Sequence, residues 1–175
     1  MSHNRVLAVG ALITVALSLP FYGHNWNHFM HVLGAVLFLG NMVVTAAWMS
    51  LAKRSRNPEA LRLGVHGINF TDAIFTTPGA LLLLLNGGIL AAPYFKSNWH
   101  WLAAGIVLYL ASGAIWGMTV IPAQKKLAQA MAKMPPGGPV PPECEALMAR
   151  WFRFGGIATL LPLAALWLMV FKPSF

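Results

Sequence analysis

The sequence predicts an all-α fold, a polytopic membrane helix bundle of about five transmembrane helices forming one membrane domain over residues 1–175. Three observations lead there. The chain is 58% hydrophobic and 9% charged, with mean hydropathy +0.65. Soluble domains carry roughly 25% charged residues, so this chain cannot cover a globule with solvated surface. Its apolar stretches are also near the roughly 20 residues needed to cross hydrocarbon. The basic residues sit in short clusters between those stretches.

The spans follow in order. The first covers about 6–22 and reads as an uncleaved helix, because Ser18-Leu19-Pro20-Phe21-Tyr22 makes a poor signal-peptidase site. The second covers about 27–52, the third 68–92 with Pro78-Gly79 inside it, the fourth 99–121 and the fifth 154–171. Backbone polar groups in lipid must be satisfied within the segment, so these are helices. Residues 124–150 form the longest polar loop. Within it, 124–133 reads as an extension of helix four, and 143–150 as an early start of helix five. The Met134-Pro-Pro-Gly-Gly-Pro-Val-Pro-Pro run is a turn or flexible linker.

Lys and Arg orient the set. With the N-terminus in the cytoplasm, Arg5, Lys53, Arg54, Arg56, Arg62, Lys125, Lys126, Lys133, Arg150 and Arg153 lie inside, and only Lys96 and Lys172 outside. The expected location is a bacterial inner membrane, with the C-terminus periplasmic. The net charge of +8 is then a topology signal, and no nucleic-acid partner is needed. The partner is the lipid bilayer, with other membrane subunits open.

Packing signals lie on the helices: Gly34 and Gly40, Gly87 and Gly88, Gly105 and Gly113, Gly155 and Gly156. Pro78 removes a donor and is expected to kink helix three, with Thr76 and Thr77 nearby to satisfy freed groups. Asn41, in mid-span, is expected to bond across helices. Trp26, Trp99 and Trp101 fit an aromatic belt.

The polar exceptions carry the functional reading. His24, His28 and His31 follow a four-then-three spacing that puts them on one helix face. His100 opens helix four on the same membrane side, so four imidazoles are expected to converge there. His66 and Asp72 lie toward the opposite side, where Asp72 is expected to pair with His66 or Arg62, or to relay protons. Ionisable groups inside spans are costly and mark functional sites by default. Imidazole suits haem iron, copper or zinc. One cysteine, Cys144, excludes an intrachain disulfide and a Cys-based metal site. Phosphate loops, a nucleophile elbow and His-Glu-x-x-His are missing, and four acids disfavour paired-carboxylate catalysis. No catalytic residue is assigned.

Several segments carry a family resemblance. Met30-His31-Val-Leu-Gly-Ala-Val-Leu-Phe-Leu-Gly resembles the first core helix of the HemJ-type protoporphyrinogen oxidases. Ile74-Phe-Thr-Thr-Pro-Gly-Ala-Leu-Leu resembles their second helix, and Lys125-Lys126-Leu-Ala the basic end of their third. Phe152-Arg153, Leu160-Leu-Pro and Val170-Phe-Lys172-Pro resemble their closing helix. The order agrees from Trp26 to Pro173. The chain is also similar to a poorly characterised bacterial membrane family and shares its broad architecture with CopD-like copper proteins.

The resemblance implies a leading helix plus a four-helix core holding b-type haem through His31. The family lysine after the Trp that opens the third core helix is missing from Trp99-His-Trp-Leu-Ala-Ala, and Ile115-Trp-Gly-Met lacks a further family histidine. These departures argue against protoporphyrinogen oxidase activity and leave haem binding. The leading expectation is therefore a haem b protein in electron transfer or a redox complex, with His31 and His100, or else His28 or His24, as axial ligands. A bis-histidine haem needs two ring nitrogens roughly 4 Å apart, since each metal–imidazole bond is near 2 Å. The alternatives are copper handling by His24, His28 and His31 with Met30, and an accessory or assembly subunit without catalysis.

Overall fold

The computed structural model describes residues 3–19, 22–96 and 99–174, and among them there are helices and no strand. Helix α1 is His3–Leu17, α2 His24–Arg54, α3 Pro58–Phe95, α4 His100–Lys133 and α5 Glu143–Phe171. The last four are long and apolar enough to cross a membrane. Helix α1 is shorter than the predicted 6–22, and Pro20 and Phe21 of that span lie outside the described residues.

The span centres agree with the hydropathy, but the helices are longer. Helix α3 starts at Pro58 rather than near 68. Asn57 caps it, its Oδ1 accepting from the Glu59 and Ala60 N–H groups at 2.9 and 3.3 Å. Pro58 occupies the first helical position, where its missing N–H costs nothing. As read from the sequence, 124–133 continues α4 to Lys133 and 143–150 opens α5 at Glu143, which leaves a turn over 134–142. That turn is docked on α3: Arg62 donates to the carbonyls of Met134 and Pro135 at 2.5 and 3.3 Å, and the Gly137 N–H donates to Glu59 at 3.0 Å.

Helix α2 packs along α3, and α4 along α5. The first pair is close because Gly34 faces Gly79. A Cβ on Gly34 would stand 2.8 Å from the Gly79 carbonyl oxygen, and one on Gly79 would stand 2.7 Å from the Phe38 nitrogen. Cross-links then join the helices. The Tyr109 hydroxyl donates to the Ala80 carbonyl at 2.8 Å, and Ser112 Oγ to the Ala158 carbonyl at 2.6 Å. The second bond has a covalent reason, since Pro162 has no N–H to offer the carbonyl four residues before it. Helix α1 joins through Ser18, which accepts from Asn86 Nδ2 at 2.8 Å, while Asn86 Oδ1 accepts from Asn27 at 2.9 Å.

Two helices widen at matching places. Residues Asp72–Thr76 of α3 and Trp116–Val120 of α4 form π-helical turns. Each is followed two residues on by a proline, Pro78 and Pro122. Each proline withholds a donor and crowds the preceding turn, which opens rather than simply kinking. Thr76 consequently serves a side chain rather than a freed carbonyl. Trp101 departs from the predicted interfacial belt: it is buried with Ala91 and Leu102 against Tyr94 and Met169.

Candidate functional site

The buried stripe of α2 runs Asn27, Met30, Gly34, Phe38, Asn41, Thr45 and Met49, at helical spacing. His31 flanks it, half-buried, and turns toward α3. Its Nδ1 lies 3.1 Å from the Leu83 carbonyl oxygen. A carbonyl only accepts, so Nδ1 carries the proton and Nε2 keeps its lone pair in the neutral ring. The ring fits because residue 87 is glycine: a Cβ there would meet His31 Cε1 at 2.9 Å and Nδ1 at 3.1 Å.

The other imidazoles differ from it in exposure. His24 and His28 are exposed side by side, ring centroids 6.1 Å apart. His100 is exposed and stacked on Trp99 at 4.8 Å. The expected convergence of four rings is thus replaced by three arrangements: one ring seated on α3, an exposed pair, and a ring lying on indole. Among the described residues, no three His, Cys, Asp or Glu side chains come close enough together to hold a metal ion.

A second polar centre lies between the two π turns. Asp72 Oδ1 accepts from Asn41 Nδ2 at 3.0 Å and from Thr76 Oγ1 at 2.7 Å. Its Oδ2 accepts from Gln124 Nε2 at 2.8 Å. Asn41 also donates to Thr76 Oγ1 at 2.7 Å. Asn41 does bond across helices, as its mid-span position predicts. The bonds to Asp72 thus run to amides and a hydroxyl rather than to His66 or Arg62; His66 is exposed, and Arg62 serves the 134–142 turn. Gln124 is the participant the sequence reading passed over. Its signal is a buried amide two residues after Pro122.

Asp72 also lines a lateral groove of about 510 Å³. Trp116 and Val120 of the α4 π turn form another wall, and Trp151, Phe152 and Gly155 of α5 a third. The Trp151 side chain is buried, and its indole N–H has no hydrogen-bond partner.

Residues 27–173 match the family model described as predicted integral membrane protein (DUF2269). Comparison with curated proteins and with solved structures returned no match.

Proposed function

The chain belongs to the DUF2269 family of predicted integral membrane proteins, and from that premise we propose that it is a membrane haem b protein with His31 as an axial ligand, acting in electron transfer or as a subunit of a redox complex. The observation that carries this reading is the His31 seat. A ligating histidine almost always donates its second ring N–H to a carbonyl, carboxylate or water, which fixes the tautomer and aims the other nitrogen. His31 has that arrangement through Leu83, on a surface that Gly87 leaves flat. A half-buried polar ring held this way inside a span has a reason to be there beyond packing.

The donor set fits the group at one axial position. His31 offers Nε2, while His100 lies against Trp99 on an exposed surface. The reading therefore makes His31 the ligand on which the haem depends. Bound haem would supply one-electron chemistry; the chain would supply the ligand His31 and its orientation through Leu83. The resemblance of the His31 segment to HemJ-type proteins favours the ligand assignment, and the missing lysine argues against the oxidase reaction. The same reading puts the Lys/Arg-rich end, with the 134–142 turn, in the cytoplasm of a bacterial inner membrane.

The test is haem content. Protein purified from haem-replete cells should carry b-type haem by pyridine haemochrome assay, close to one per chain. Colourless protein from the same cells contradicts the proposal.

A further inference from the structure

The lateral groove beside Asp72 has no part in the His31 reading, yet it is built like a binding site. Its volume, about 510 Å³, lies within the roughly 300–1,000 Å³ usual for small-molecule pockets. Apolar and aromatic side chains line it, with few polar groups.

Two of those polar groups are unusual for a membrane interior. One is the Trp151 indole N–H, buried and without an acceptor. A buried donor left unpaired is destabilising, and such donors are rare in native structures. The other is the Asp72 carboxylate. Oδ1 is occupied by two donors and Oδ2 by one, which leaves Oδ2 capacity to accept another. The groove thus holds an acceptor with room for a hydroxyl, and one of its walls carries an unpaired donor that is buried until the indole turns.

The space is also left open by sequence. Gly155 stands four residues after Trp151, on the same side of α5, and a Cβ there would meet no atom within 4 Å. Gly34, Gly79 and Gly87, between α2 and α3, show what a packing glycine looks like in this bundle: each has a neighbour inside 3 Å of that position. Gly155 is not packing against anything.

We propose that this groove binds the ring of a membrane-soluble quinone. A flat ring suits walls made of Trp116, Trp151 and Phe152. In the quinol form a ring hydroxyl donates to Asp72 Oδ2, and rotation of the Trp151 indole on binding brings its N–H to the other ring oxygen. The carboxylate disfavours the obvious competitor, a phospholipid, whose phosphate is anionic.

The experiment titrates the full chain, reconstituted in phospholipid nanodiscs free of quinone, with a short-chain ubiquinone, and reads bound ligand by equilibrium dialysis. Wild type should bind saturably. Trp151→Phe keeps the ring and removes the donor, and should weaken binding about tenfold. Gly155→Leu fills the groove without a clash at Cβ and improves helix propensity, so it should fold and lose binding altogether. A melting temperature at or above that of wild type certifies its fold. Absence of saturable binding by wild type overturns the proposal, as does equal binding by a folded Gly155→Leu. Phospholipid retained by wild type through delipidation and lost from Gly155→Leu, without quinone binding, also overturns it. Haem content does not enter the readout, so failure here and failure of the His31 reading are separate.

Discussion

His31 and Gly87 are fitted to each other: the imidazole of α2 lies where any side chain on residue 87 of α3 would have to be, 2.9 Å from Cε1 to the position of a Cβ. From this contact comes the Nδ1–H···O=C bond to Leu83, and from that bond the free Nε2.

Gly87→Ala should therefore displace the ring and break its bond to Leu83, reducing haem retained on purification at least several-fold and lowering stability by about 1–3 kcal/mol. Gly88→Ala is the control, because nothing lies within 4 Å of its Cβ position. It should keep wild-type haem content. Parallel haem assays and thermal melts in detergent check both.

The Asp72 carboxylate is built to receive donors from three directions. Asp72→Asn turns one oxygen into a donor that faces Gln124 or Asn41, and should cost about 1–3 kcal/mol. Gln124→Glu alone sets two carboxylates together and should cost at least as much. Combining the two substitutions exchanges donor and acceptor, with the new amide at position 72 donating to the new carboxylate at position 124. That double variant should be more stable than the sum of the singles by about 1 kcal/mol or more. Additive losses in a denaturation cycle would show that the Asp72–Gln124 bond does not join α3 to α4.

Ser112 and Pro162 make a second cycle. Ser112→Ala leaves the Ala158 carbonyl without its donor and should cost about 1 kcal/mol. In a Pro162→Ala background, residue 162 supplies the N–H that the proline withholds, and Ser112→Ala should become nearly neutral. Melting temperatures of the four proteins decide it.

Much of the fold is legible in the sequence because lipid enforces it. Apolar runs of membrane length give the span centres, and Gly, Pro and mid-span Asn mark where helices touch. Helix ends are not set by hydrophobicity, which is why α3 begins well ahead of its apolar run. The Asn57-Pro58 pair is the signal for that start. The π turns are invisible to hydropathy, although Pro78 and Pro122 point to the places where they form. The partners of Asp72 on other helices lie 31 and 52 positions away, and choosing among donors at that range needs the rotation of each helix. The same rotation seats His31 on α3 and leaves His24, His28 and His100 exposed: spacing puts residues on one face, but does not say which neighbour each ring meets.

Topology is open to a direct check. In a Cys144→Ser background, a single cysteine introduced by Ser174→Cys should react with a membrane-impermeant thiol reagent in intact cells, and one introduced by Lys133→Cys only after lysis. Both positions are exposed. Reversed labelling would turn the bundle over.

The central claim is that His31 holds a haem, and an absorption spectrum tests it most directly. Wild type should show a Soret band and the reduced α band of b-type haem. His100→Ala, which removes a ring stacked on Trp99, should keep that spectrum, and His31→Ala should lose it while remaining folded. A colourless wild type, or a haem spectrum unchanged in His31→Ala, would contradict the account.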